Sequence, residues 1–176
     1  MSLPKFTYHP DPVATGSIEV SDAECLSCEQ ARGYIYVCNT YSEEEIEEAI
    51  CPWCIADGSA SEKFEATFSD DAPLVDEGID EEIVEEVTRR TPGFFSWQQD
   101  VWLCCCDDAC EFHGDPSREQ LAKLKGSALE EVLEQFSWTE EEWADFLKVY
   151  EPGESPAIYH FICRHCRKSR YGMDTD

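Results

Sequence analysis

Two C-x2-C pairs, Cys25-Leu26-Ser27-Cys28 and Cys51-Pro52-Trp53-Cys54, stand 22 residues apart, and a third, Cys163-Arg164-His165-Cys166, lies near the end of the chain. A C-x2-C pair puts two thiolates on one tight turn, which is half of the tetrahedral shell of a zinc ion. Cys25, Cys28, Cys51 and Cys54 therefore complete a four-thiolate site between them. Four sulfur ligands leave no coordination position for water, so such a site is structural rather than catalytic. A redox reading of either pair would need a thioredoxin-like βαβ setting, and would not explain why the pair is doubled.

Cys163 and Cys166 need two further ligands, and Cys104, Cys105, Cys106 and Cys110 are the candidates. Cys106 to Cys110 is C-x3-C and Cys105 to Cys110 is C-x4-C, both within ligand range. Successive side chains of an extended chain point to opposite faces, which argues against adjacent cysteines sharing one ion. The expected second set is therefore Cys106, Cys110, Cys163 and Cys166, with His113 and His165 as fallback ligands. Two zinc ions are expected in all. Cys38, Cys104 and Cys105 are left as small buried hydrophobes. No serine, histidine and acid constellation stands out, and His9 has no recognisable base or metal context.

The chain has 176 residues, enough for one compact domain or two small metal-held ones, and 42% hydrophobic residues, enough for a core. No apolar run approaches the roughly 20 residues of a membrane span, and the N-terminus has no apolar secretory region. A cytosolic location follows as the expectation. Thiols stay reduced there, so eleven cysteines, an odd number, argue for metal rather than disulfides. The formal charge is -26 and the pI near 4.2. Such a chain repels nucleic acid and anionic membranes, because affinity for both comes from Lys and Arg. The acidity gives a solvated, soluble surface or a docking face for a basic partner. Arg164, Arg167, Lys168 and Arg170 form one local basic cluster, which suits an acidic patch of the same protein as easily as an external phosphate.

The elements that must carry these cysteines are short. Residues up to Ser17 contain Pro4, Pro10 and Pro12 and read as extended. Tyr34-Ile35-Tyr36-Val37 reads as a strand. Ser42 with Glu45 is a capping box for a helix carrying Ile46, Ala49 and Ile50 inward, and Ser59 with Glu62 is a second, ahead of Phe64 and Phe68. Residues 69–80 read as an acidic linker. Asp80 caps a helix from Glu81 to Arg90, with acids in its first turn, Arg89 and Arg90 in its last, and Ile79 and Val84 as a staple. Asp115 with Pro116 marks another helix start and Gly126 a stop. Ser127 with Glu130 and Thr139 with Glu142 open two helices with apolar stripes, the second stapled by Trp138 and Trp143. Pro156 to Ile162 reads as a strand delivering Cys163. The expected fold is α+β: small β-hairpins and zinc knuckles, treble-clef or zinc-ribbon-like, packed with several short helices. The expected divisions are 1–68, 69–93 and 94–176, held as one compact unit.

Several longer stretches carry a family resemblance. These are Phe6-x-Tyr8-His9-Pro10-Asp11-Pro12-x-Ala14-Thr15-Gly16-Ser17-Ile18, Cys51-Pro52-Trp53-Cys54-Ile55-Ala56-Asp57-Gly58-Ser59-Ala60, Arg90-Thr91-Pro92-Gly93 and Trp97-Gln98-Gln99. Together with the Cys106–Cys110 and Cys163–Cys166 segments, and Pro156-Ala157-Ile158-Tyr159 before the last knuckle, they resemble the CbrC family of bacterial proteins over almost the whole chain. The resemblance implies a link to tolerance of a DNase-type colicin and supplies no catalytic residues or substrate. Family members resemble one another in a histidine before the position of Cys106, where this chain has Cys105. The function expected is binding rather than catalysis, with a basic protein such as a nuclease toxin domain as partner. The alternatives are a metal-dependent hydrolase with one open zinc site and a thiol- or zinc-responsive regulatory adaptor.

Overall fold

A computed structural model describes residues 2–43, 46 and 50–175. It contains two small antiparallel sheets and seven short helices among the described residues. In the first sheet β1 (Ile18–Glu24) pairs with β2 (Ala31–Tyr36), Ile18 facing Tyr36, with an irregularity between Ser21 and Glu24. Four helices follow: α1 (Pro52–Ala56), α2 (Ser59–Phe64), α3 (Ala72–Asp76) and α4 (Glu81–Arg90). Strand β3 (Glu111–Phe112) precedes α5 (Arg118–Leu121), α6 (Ser127–Phe136) and α7 (Glu140–Val149). Then β4 (Ala157–Ile162) and β5 (Ser169–Asp174) complete a three-stranded sheet in the order β3-β4-β5. Among the described residues no helix is long and apolar enough to cross a membrane.

Some helix starts follow their sequence signals and others do not. Asp80 accepts the Glu82 N–H and α4 runs over the expected residues, with Val84 buried and Ile79 packed against its cluster. Thr139 and Glu142 form a reciprocal capping box, and the Trp138 and Trp143 rings lie 6.2 Å apart as a staple. By contrast, α2 and α6 are entered through left-handed Gly58 (φ 80°) and Gly126 (φ 57°), which place Ser59 and Ser127 inside the first turn instead of at the cap. Only glycine takes such a φ without steric cost. Gly126 thus starts a helix where a stop was expected. Ser117, two residues after Asp115, caps α5 through a box with Gln120. The supposed linker 69–80 contains α3, because Leu74 is fully buried and draws its neighbours into a turn of helix. The helix expected after Ser42 falls largely on residues outside those described.

Strand β4 organises the core through its two-residue period. Ala157, Tyr159 and Phe161 face a cluster with Tyr8, Val87, Phe94, Trp102 and Phe112, whereas Ile158 faces Leu121, Val132, Trp143 and Tyr150 of the helical layer. A third cluster surrounds Ile18, Ile35, Tyr36, Ile50 and Ile55. Gly93 sits where the first and third clusters meet. A Cβ there would stand 1.8 Å from the Phe68 carbonyl oxygen and 2.9 Å from the Tyr36 hydroxyl. The N-terminal segment is buried rather than merely extended: Phe6, Tyr8 and His9 are all inside. The His9 Nδ1–H donates to the Pro92 carbonyl at 2.8 Å, and Nε2 accepts from the Thr15 hydroxyl at 2.7 Å.

Two outcomes follow from these packing facts. Gly93→Ala forces backbone apart at a contact that no rotamer change relieves, and should cost about 3 kcal/mol in urea unfolding. Burial pulls the His9 imidazole down to about 4, from an ordinary value of 6.5. A depressed histidine contributes stability that is fully present above the unfolded value and is lost as pH falls toward the folded one. His9 should therefore add a stability loss approaching about 3 kcal/mol between pH 6.5 and 4. His9→Gln should show a shallower slope than the parent in thermal melts over that window, and parallel slopes would refute the assignment.

Candidate metal centres

The first centre is assembled by one hairpin and one helix start. Cys25 follows β1, and its N–H donates to the Gln30 carbonyl at 3.1 Å while the Glu29 N–H donates back to Cys25 at 2.7 Å. Glu29 takes a left-handed φ of 55° to close this knuckle. Cys51 is the N-cap residue of α1, with Pro52 in the first turn, so the helix begins inside the second pair and turns Cys54 toward Cys51. The four sulfurs lie within 4.8 Å of one another. Cys28 and Cys51 are 3.9 Å apart, and Cys51 and Cys54 3.6 Å. Cys25, Cys51 and Cys54 are buried and Cys28 is partly so.

These separations have a physical meaning. Disulfide sulfurs would be about 2.05 Å apart. Four sulfurs each about 2.3 Å from a common tetrahedral ion stand roughly 3.8 Å apart along every edge. The Cys28–Cys51 and Cys51–Cys54 separations match edges of such a shell, so the tetrad is suited to a metal ion. One sulfur of the site, that of Cys25, is held toward its negative form. A hydrogen bond from the Cys51 thiol, helped by backbone N–H groups, draws Cys25 down to about 4, although burial opposes it. Cys51, which donates that bond, is correspondingly pushed up.

The second centre joins Cys105 and Cys106 to Cys163 and Cys166, again with all sulfurs within 4.8 Å. Cys105 lies 3.7 Å from both Cys106 and Cys166. The Cys163 knuckle repeats the Cys25 pattern. Its N–H donates to the Lys168 carbonyl at 2.9 Å, the Arg167 N–H donates to Cys163 at 3.1 Å, and Arg167 is left-handed at φ 58°. The Cys166 N–H donates to the Cys163 sulfur at 3.4 Å. Burial opposes ionisation of Cys163, yet the Cys166 and His165 N–H groups bring it down to about 6. Cys106 and Cys166 are exposed, so this centre sits at the surface whereas the first is enclosed.

The structure thus brings together three of the four residues expected here and puts Cys105 where Cys110 was expected. Neighbouring side chains point to opposite faces only where the chain is extended. Cys106 and Asp107 instead have φ of 59° and 57°, and the Cys105 N–H donates to the Asp108 carbonyl at 2.9 Å. That tight turn swings two successive thiols to the same side. Asp107 and Asp108 were an available signal, because aspartate is enriched in left-handed and turn conformations. Cys110 is fully buried in the aromatic cluster, and its carbonyl accepts the Trp102 indole N–H at 2.9 Å. Burial pushes its thiol up to about 12, and Cys38 and Cys104 each to about 11. All three remain weak nucleophiles.

Both fallback histidines are engaged by carboxylates instead. His113 Nε2 lies 3.3 Å from Glu111, and His165 Nε2 lies 2.8 Å from Asp108. Asp108 is the hub beneath the second centre. It accepts the Tyr8 hydroxyl at 2.8 Å and the Arg164 guanidinium at 2.8 Å, and Arg164 also covers the Tyr8 ring at 4.9 Å. These donors hold its carboxyl below the usual range although burial opposes them. Arg167 pairs with Glu111 at 3.1 Å, while Lys168 and Arg170 pair with Glu131 at 3.2 and 3.1 Å. Arg170 also donates to the Cys105 sulfur at 3.5 Å. The basic cluster is absorbed by acids of its own chain. Tyr8, Asp108 and Glu131 carry no metal-ligand signal in the sequence, since their relation to the knuckle exists only in the fold.

The fold and sites define a small α+β protein with two four-cysteine clusters suited to metal. The chain belongs to the family described as "Uncharacterised protein family (UPF0167)", whose model matches residues 3–175. It is 49% identical to a UPF0167 protein of Pseudomonas aeruginosa over 173 residues, 98% of this chain and 97% of that one. UPF0167 proteins of Mycobacterium bovis and Mycobacterium tuberculosis are each 43% identical over 166 residues, 93% of this chain and 89% of theirs. No solved structure matches the chain.

Metal counting on two variants separates the two ligand sets. Cys105→Ser should lose one metal equivalent of two in native mass spectrometry, whereas Cys110→Ala should keep both and lose only about 1 kcal/mol of stability from a small cavity. The reverse pattern would restore Cys110 as a ligand.

Proposed function

We propose that two zinc ions staple this chain, one on Cys25, Cys28, Cys51 and Cys54, and one on Cys105, Cys106, Cys163 and Cys166. The stapled protein acts by binding a basic protein rather than by catalysis. The observation that carries the reading is the sulfur spacing of 3.6 to 3.9 Å at the first centre and 3.7 Å at the second. It matches a closed shell of four soft ligands, for which zinc is the usual divalent ion. A filled four-sulfur shell offers a substrate no position, which weighs against the hydrolase alternative.

The partner is argued from charge. Against 39 acidic residues stand 13 lysines and arginines, and the basic cluster at the last knuckle is already paired internally. The remaining acidic excess favours a basic partner and speeds its encounter. The CbrC resemblance, with its link to colicin tolerance, supports a nuclease toxin domain as that partner and the cytosol as the location. The solvent-exposed Cys106 and Cys166 favour a second reading, in which the outer zinc responds to oxidant and the inner one is permanent.

Native mass spectrometry with X-ray absorption on the same sample should give two zinc ions, each with four sulfurs at about 2.3 Å. A nitrogen or oxygen ligand on either ion would reopen catalysis. A purified basic nuclease domain should associate at low salt and dissociate steeply as salt is raised. No association at low salt would sink the partner assignment while leaving the zinc assignment standing.

A further inference from the structure

A cleft of about 550 Å³ opens between the N-terminal turn, the β3 end and the 94–97 segment, lined by neither cysteine tetrad. Its volume lies within the range of sites for small organic molecules. Phe94, Phe112 and Tyr159 form its inner wall, with Phe94 stacked on Phe112 at 4.3 Å and 5.0 Å from Tyr159. Phe95 and Trp97 stand at its edge, edge-to-face at 5.4 Å and 53% and 39% exposed. Exposed aromatic rings are costly to leave in water unless something covers them. The segment that carries them is pinned, because Asp174 accepts the Trp97 and Gln98 N–H groups at 2.6 and 3.1 Å.

Two carboxylates, Asp11 and Asp115, share this cleft with the rings. Neither forms an ion pair with any described cation, and no described cation covers Phe95 or Trp97. Asp115 is half-buried and accepts the Gly153 N–H at 2.8 Å; burial pushes its carboxyl upward. The Tyr159 hydroxyl is a third unusual group. Tyr159 is only 6% exposed, and its hydroxyl oxygen is enclosed beside the Asp174 carboxylate. Burial first, and then the neighbouring Asp174 carboxylate, keep that hydroxyl protonated.

Aromatic faces attract cations, and a half-buried carboxylate without an ion partner attracts an ammonium or guanidinium. We infer that this cleft is a binding site for a small organic cation: a protonated amine or amidine on an apolar or aromatic body. The charged head sits against Asp115, and the body lies against Phe95 and Trp97. The cleft volume exceeds what one charged head needs, which favours a free small molecule over a single side chain reaching in from a partner. The site is independent of the zinc and nuclease assignments, and its test uses neither.

The zinc-loaded full chain is titrated with phenethylammonium and with its neutral counterpart 2-phenylethanol, followed by the Trp97 indole and backbone NMR signals of the cleft. The amine should bind about tenfold tighter or more than the alcohol, the usual worth of a charge-assisted hydrogen bond. Asp115→Asn should abolish that preference. Should that variant fail to fold, Asp11→Asn should reduce the preference and Trp97→Leu should weaken both probes. Equal affinity for amine and alcohol, an unchanged preference in the folded variants, or no shift at cleft residues overturns the inference. Tighter binding of an acetylated arginine peptide than of any free amine overturns the choice of a small molecule.

Discussion

The convergence of eight thiols on two points is the constraint from which the rest of the structure follows. Cys25 meets Cys51 across 26 residues, and Cys105 meets Cys166 across 61. Closing loops of that length costs chain entropy that short helices and two- or three-stranded sheets repay poorly. A metal held by four thiolates binds only when all four are gathered, so its binding free energy becomes folding free energy. Under the proposed zinc assignment, this is how a chain whose described helices run from four to ten residues sustains a defined fold.

Electrostatics makes the same demand from another side. A chain at -26 repels itself, and thiolate clusters add to the repulsion. The fold answers locally. Backbone N–H groups face the Cys25 and Cys163 sulfurs, and Arg170 reaches Cys105. Every cation of the last knuckle is matched to a carboxylate: Asp108, Glu111 or Glu131. Little positive charge is left in that region to soften the acidic exterior. The two centres differ mainly in burial. The first is enclosed by the Ile18–Ile55 core, while the second shows two of its four sulfurs to water.

The aromatic core and the candidate cleft are two faces of one arrangement. Phe94, Phe112 and Tyr159 pack against Trp102 and Phe161 on one side and line open space on the other. Strand β4 makes this possible by burying both of its faces, one against these rings and one against α5, α6 and α7. Gly93 lets the chain turn past the Phe68 carbonyl, delivering Phe94 inward and Phe95 outward.

Features encoded within a few residues are legible without the fold. The Cys25–Cys28, Cys51–Cys54 and Cys163–Cys166 knuckles are short-range turns. The Asp80 and Thr139 caps are satisfied inside their own first helical turns. Strands β2 and β4 are readable from β-branched and aromatic runs. Only the tertiary structure decided what depends on backbone torsion or on distant neighbours. Left-handed φ values at Cys106 and Asp107 brought Cys105 into the second cluster, and those at Gly58 and Gly126 moved two helix starts. Burial of Leu74 and Cys110 turned a linker into a helix and a candidate ligand into core. Spacing rules assume a local backbone state, and where packing imposes another, the side chain points somewhere that spacing alone does not foretell.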